Sequence, residues 1–138
     1  MSFTTADGLD YILNLVSARE QPVETYYVAL CYSLPGITTA GSELDEVEAL
    51  GYTRGSLLNV SGNWTVSHGQ LSNVTDVDYP VAEEEWGEIR YWAVCDTELA
   101  GRVLWAGYFT DPVFVAEGDQ PQVPAYGLSM YFTMGDSS

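Results

Sequence analysis

The chain has 138 residues, with 20 acidic side chains against four basic ones and a formal net charge of −16. A surface this acidic repels phosphate backbones, because nucleic-acid binding depends on cations that displace counterions. The composition therefore excludes DNA and RNA as direct partners, and it disfavours anionic membranes. The acidity itself fits two interpretations: an abundant protein kept soluble, or a protein that meets a basic partner.

Length and apolar content predict one domain over residues 1–138. With 46% hydrophobic residues, a chain of this size can bury an ordinary core without a metal or a disulfide. Residues 1–7 contain neither the basic nor the apolar region of an export signal. No apolar run approaches the ~20 residues that a membrane span requires. We therefore expect synthesis in the cytoplasm without a signal peptide, and no membrane partner.

One stretch, residues 5–19, has the spacing of an amphipathic helix. Its apolar residues recur at i, i+3, i+4 and i+7: Leu9, Ile12, Leu13 and Val16. Thr4 or Thr5 can cap the start, while Arg19 suits the last turn and Pro22 prevents continuation. We expect the apolar stripe to pack on the domain or on a neighbouring copy.

From residue 24 the pattern changes to strands, which predicts a β-sandwich over residues 24–133 and a flexible tail over 134–138. β-Branched and aromatic runs bounded by turn residues indicate the individual strands. These are 25–32, 52–60, 64–66, one or two within 71–81, 88–95, 102–109, 113–115 and 128–133.

Many short strands at spacings of about ten residues are typical of an antiparallel all-β fold. The fold class predicted is an all-β antiparallel β-sandwich or jelly-roll-like barrel with one N-terminal α-helix. The continuous apolar run 92–95 indicates a strand buried on both faces.

Two cysteines, Cys31 and Cys95, lie within apolar strand-like runs. Their positions indicate buried thiols that act as small hydrophobic side chains. A disulfide or a reactive thiol is the alternative, although cytosolic disulfides are rare. Their spacing does not match a zinc motif.

No pattern of catalytic residues stands out. His68 is the only histidine and lies in a turn-like segment, where a triad would need a nucleophile and an acid held around it. Acidic pairs such as Asp76 and Asp78 are expected by chance among 20 acids, so solvated surface charge is the simpler interpretation. We expect no enzyme activity, no cofactor and no metal.

Aromatic residues offer the strongest alternative to a purely structural role. A platform for sugars could be formed by Tyr26, Trp64, Trp86, Trp92, Trp105 and Tyr126. In a domain of this size, however, most aromatic side chains on strands belong to the core or to a subunit interface. Trp86 follows the acidic run 83–85, and we expect it to lie at a surface or contact.

Several segments together resemble one family. The strand-like run 86–96 is followed by a second strand, 102–107, then a proline turn at 110–113 and a Gly-Asp turn at 115–119. Upstream, 26–30 with its Leu-Pro-Gly stop at 34–36, and the Gly-Tyr-Thr-Arg start at 51–54, keep the same order. This arrangement resembles small virion structural proteins of tailed bacteriophages, a β-sandwich group that includes tail-fibre-like, minor capsid and head-decoration proteins.

The resemblance implies no catalytic residues and no cofactor. It predicts a non-enzymatic virion protein, made in the host cytoplasm, that faces outward on the head or tail and acts by protein–protein packing. Expected partners are major capsid or tail proteins and copies of itself. Expected interface residues are Leu9, Ile12, Leu13, Val16, Trp86, Val113, Phe114 and Val115. The alternative is a carbohydrate- or receptor-binding module that contacts a host surface glycan.

Overall fold

A computed structural model of the chain describes residues 2–131. The single α-helix of that part, α1, is Ala6–Val16. Short 3₁₀ turns lie at Gly41–Glu43 and Ser61–Asn63. The strands are β1 Ser2–Thr4, β2 Thr25–Cys31, β3 Gly55–Leu58, β4 Trp64–Ser67, β5 Gln70–Asn73, β6 Val77–Asp78, β7 Gly87–Cys95, β8 Val103–Val115, β9 Gln122–Val123 and β10 Met130–Tyr131.

The five-stranded antiparallel main sheet has the order β1-β8-β7-β2-β3. A second layer contains the three-stranded sheet β10-β5-β4 and the pair β6-β9. Apolar side chains from both layers form one core. It includes Val28, Leu30, Val77, Tyr79, Ile89, Trp92, Val94, Trp105, Val123 and Leu128. The prediction of an all-β sandwich with one N-terminal helix is confirmed.

The central strand β7 is buried on both faces, as its apolar run predicts. Trp92 and Val94 enter the main core, while Ala93 and Cys95 lie on the opposite face. On that second face all the fully buried side chains are small: Ala29, Cys31, Ala93, Cys95, Val103 and Ala106. Phe3, Leu44 and Tyr91 pack against them.

Both cysteines are buried free thiols. Cys31 pairs with Tyr91 and Cys95 with Tyr27, so the two positions are four residues apart along paired strands. That offset corresponds to roughly 13 Å along the sheet, well beyond the Cα separation that a disulfide allows. The prediction of two buried thiols is confirmed.

The predicted division of residues 102–115 into two strands is wrong, because β8 runs without a break through Pro112. Ile89 pairs with Val113, and Tyr91 pairs with Tyr108. Residues 109–112 therefore lie opposite the single residue Arg90 and form an enlarged β-bulge. A proline fits there because a bulge does not require its missing N–H for the ladder.

Other boundaries also differ from the predictions. The helix ends at Val16 rather than residue 19, because Ala18 takes a left-handed backbone conformation with φ of 59°. The strand predicted at 52–60 is limited to Gly55–Leu58. The last predicted strand, 128–133, is present as Met130–Tyr131, with its end and the predicted tail 134–138 outside the described residues.

The helix is fixed to the main sheet at its first turn. Thr5 is the N-cap, and its hydroxyl oxygen accepts a hydrogen bond of 2.9 Å from the Gly8 N–H. The same hydroxyl lies 3.0 Å from the Leu104 carbonyl oxygen of β8. A Cβ at position 8 would lie 1.7 Å from that carbonyl oxygen, so only glycine allows this approach.

We predict that Gly8→Ala destabilises the fold by about 1–3 kcal/mol, although alanine is the better helix former. The added methyl group must push the helix away from Leu104. Gly62→Ala is the matched control, because a Cβ there meets nothing within 4 Å. Urea unfolding followed by circular dichroism measures both variants, and equal stabilities would contradict the proposed contact.

A second prediction concerns alkaline pH. Burial raises the pKa of the Cys95 thiol to about 12, and it raises the pKa of Cys31 and of Tyr79 well above their ordinary values. Below pH 9, the ordinary thiol value, these groups stay protonated in the folded and the unfolded chain. As pH rises further, the unfolded chain loses protons first, so the free energy of unfolding falls.

Urea unfolding at several values between about pH 7 and 11 measures this fall. In the double variant Cys31→Ala, Cys95→Ala the fall should begin nearer pH 10, the ordinary tyrosine value. A stability that stays constant beyond that pH would contradict the burial of these groups.

Candidate functional site

Three of the four basic side chains are held in ion pairs with the chain's own acids. All four are arginines. Arg54 pairs with Glu46, Arg90 with Glu88, and Arg102 with both Glu20 and Asp96. Most of the 20 acids therefore have no basic neighbour within the described residues, and the protein presents an acidic surface.

Arg54 is a buried structural centre. Its Nε and Nη2 atoms donate to the two carboxylate oxygens of Glu46 at 2.9 and 3.0 Å. Nη1 donates to the carbonyl oxygens of Thr97 and Ala100, and Nη2 also donates to that of Gly41. All five guanidinium N–H groups are thus used. The surface cleft that Arg54 lines together with Tyr52 and Leu99 therefore has no free donor of this arginine to offer a ligand.

We predict that Arg54→Lys lowers the free energy of unfolding by about 2–5 kcal/mol, because an ammonium group cannot make the bidentate pair and reach three carbonyls. Arg90→Lys is the matched control, since its pair with Glu88 is exposed on both sides and should change stability by about 0.5 kcal/mol or less. Denaturant unfolding measures both variants. Similar losses in the two would show that Arg54 is not a structural centre.

The helix turns a different face to the core than the predicted stripe. Gly8 and Tyr11 are buried, and Ile12 and Leu15 pack partly against the core. The Tyr11 hydroxyl lies 2.9 Å from that of Tyr26, which fixes this orientation.

Three residues of the predicted stripe therefore face outward. Leu9, Leu13 and Val16 are exposed, Leu13 by 63% and Val16 by 81% of their surfaces. We call these three side chains the helix patch. Of the two predicted alternatives, packing on the chain's own domain is wrong for these three residues and right in part for Ile12. Packing on a neighbouring copy stays a prediction.

Trp86 is not at the surface, so that expectation is wrong. Its side chain is 2% exposed, and its indole N–H donates to the Leu50 carbonyl at 3.2 Å. The Tyr52 ring packs on it edge to face at 5.3 Å. Val115 is also buried, Val113 is half-buried, and Phe114 is 59% exposed. Of the predicted interface residues near this end of the sheet, only Phe114 is freely accessible within the chain.

The six aromatic residues considered for a sugar platform do not form one. Tyr26, Trp86, Trp92 and Trp105 are buried, and Trp64 is half-buried. The edge-to-face contacts of Tyr26 with Trp64 and Trp105 place these rings in the core. Tyr126 alone is exposed, at 62%.

Tyr126 instead lines a separate surface cleft of about 340 Å³. We call this the bulge cleft, because Phe109 and Asp111 of the β8 bulge form part of its wall. Trp92, Tyr108 and Gln122 also line it. Sequence patterns gave no sign of this site, since it combines the bulge with a segment near residues 122–129.

No metal centre is apparent in residues 2–131, where histidine, cysteine and carboxylate side chains form no group of three that could hold an ion. His68 lies exposed in the turn between β4 and β5, with the Ser67 hydroxyl 2.9 Å from its Nδ1 atom. Within the same residues, no helix has the length and apolarity needed to cross a bilayer.

Residues 4–131 match a protein-family model described as podophage GP4 fiber I protein gp80. The match spans most of the chain. The chain belongs to the gp80 family. No curated protein shows a significant match.

Membership of the gp80 family makes the chain a structural protein of the phage virion. The resemblance deduced from the order of its strands and turns is confirmed at this level. The region matched to the gp80 family includes both the helix patch and the bulge cleft. Sequence patterns gave residues 51–54 and 110–113 only as segments of the resemblance. They indicated neither the buried ion pair of Arg54 nor the bulge, although a proline inside an aromatic strand was an available signal for the bulge.

Proposed function

We propose that the chain is a non-enzymatic component of the particle's exterior, in a fibre or another tail structure, that acts by packing against neighbouring virion proteins. The observation that carries this proposal is the helix patch. Three large apolar side chains face solvent on one stripe of a helix whose opposite side is already packed on the sheet.

Contiguous exposed apolar side chains are typical of protein contact sites. Here they are bordered by carboxylates, since Asp10 lies on the same exposed part of the helix and Asp7 is in its first turn. A partner that suits this surface has an apolar centre and basic side chains at its rim. Another virion protein meets that requirement better than a second acidic copy does, although copies brought together by such a partner can also touch.

Charge supports an outward location. A net charge of −16 next to packaged DNA would be strongly repelled, because a surface with so few cations cannot replace the DNA's counterions. This acidity therefore favours the outside of the head or the tail over the inner capsid wall. The family description, a fiber protein, supports the tail.

The test is incorporation of a helix-patch variant into particles. In phage lacking the native protein, complementation with Leu13→Glu, Val16→Glu should lower the copy number on purified particles roughly tenfold or more. The reason is that two buried carboxylates would have to be desolvated at the contact. Quantitative mass spectrometry of the particles measures the copy number.

Val66→Glu is the matched control, because Val66 is as exposed as the helix patch but lies on β4. It should be incorporated normally, and urea unfolding should show that all variants fold. Normal incorporation of the double variant would contradict the proposed contact. Antibody labelling of intact, DNA-filled particles should be positive, and labelling only after DNA release would contradict the outward location.

A further inference from the structure

The bulge cleft combines features that a packing protein does not need. Tyr108 and Tyr126 are exposed, and Phe109 and Trp92 lie deeper between them and the core. A volume of about 340 Å³ is at the lower end of the range for small-molecule sites. The cleft thus has room for one small ligand unit with aromatic surface around it.

One wall exists because of the β8 bulge. A regular strand would continue the ladder from Tyr108 towards Val113 with one intervening residue, but residues 109–112 intervene instead. The extra length brings Phe109, Thr110 and Asp111 to the cleft. Bulges commonly redirect side chains beside functional sites.

The other wall is held by Asn73, which is fully buried. Its side-chain nitrogen donates to the Pro124 carbonyl at 3.1 Å, and its side-chain oxygen accepts from the Leu128 N–H at 3.0 Å. Its backbone carbonyl accepts from the Tyr126 N–H at 2.7 Å. Tyr126 is kept in a left-handed conformation with φ of 67°, which is unusual for a bulky residue. Strain of this kind is often found where a side chain must be presented for a function.

Polar groups among the aromatic rings point to the type of ligand. Asp111 can accept hydrogen bonds, and Gln122 keeps its carbonyl oxygen as a further acceptor while its amide donates to Asp78. The indole N–H of Trp92, which also lines the cleft, has no partner within the described residues, as is also true of Trp64 and Trp105 away from the cleft. Aromatic faces with a few acceptors and donors suit a molecule that has apolar C–H faces and several hydroxyl groups.

We propose that the bulge cleft binds a neutral sugar unit, stacked on Tyr126 and Tyr108 and hydrogen-bonded through Asp111. Acidic sugars are excluded because a carboxylate and no cationic side chain lines the cleft. This role goes beyond the packing role proposed above and uses a different surface.

The full chain, labelled with ¹⁵N, is titrated with methyl glycosides of glucose, galactose, mannose, N-acetylglucosamine and rhamnose. At least one should give saturable shifts of backbone amides at Tyr108, Asp111 and Tyr126, with affinity in the millimolar range. Tyr126→Ala should weaken that binding roughly tenfold, because a stacked ring is lost. Asp111→Asn should weaken it less, and glucuronic acid should not bind.

Phe114→Ala is the matched control, because Phe114 has nearly the same exposure as Tyr126 and lies on β8 outside the cleft. It should bind as the native chain does. The proposal is overturned if none of the glycosides shifts the cleft amides, if Tyr126→Ala and Phe114→Ala behave alike, or if glucuronic acid binds best. None of these results depends on incorporation into particles, so the packing role is tested separately.

Discussion

The fold depends on covering both faces of its central strand. One face of β7 is covered by the second layer of strands, whereas on the other face Phe3 of the edge strand β1, Tyr91 of β7 itself and Leu44 of the loop 41–46 pack against the small buried side chains. Arg54 holds that loop in place, because a single guanidinium joins Glu46 and Gly41 to the β7–β8 turn. This cover is thin, and the small side chains beneath it allow the loop to approach the sheet closely.

The same arginine links stability to surface charge. Three of the four basic side chains are held by internal acids, one of them deeply buried. Little positive charge therefore remains to offset the acidic side chains at the surface. Neighbouring proteins consequently meet a strongly negative surface. Contacts in the virion must then come from apolar surface, as on the helix patch, or from basic groups that a partner supplies.

The sandwich class, an N-cap at Thr4 or Thr5, the buried cysteines and the doubly buried strand could be predicted from the sequence, because all follow from local pattern. Prediction from the sequence failed where a distant contact decided the outcome. Helical spacing alone does not determine which of two neighbouring stripes faces the core. The contact between the Tyr11 and Tyr26 hydroxyl groups determines it. Acidic neighbours suggested an exposed Trp86, yet Leu50 and Tyr52 enclose its ring. The bulge cleft was out of reach because its two walls meet only after folding.

The β8 bulge also bears on how this protein can evolve. Four residues of β8 lie opposite Arg90, where a regular ladder would have one, so the bulge contains three extra residues. Deleting three residues there would restore an uninterrupted ladder while leaving both arms of β8 paired as they are. During evolution, a short in-frame insertion or deletion can therefore add, remove or replace the wall of the cleft that the bulge forms. The strand pairing on either side of the bulge would stay the same.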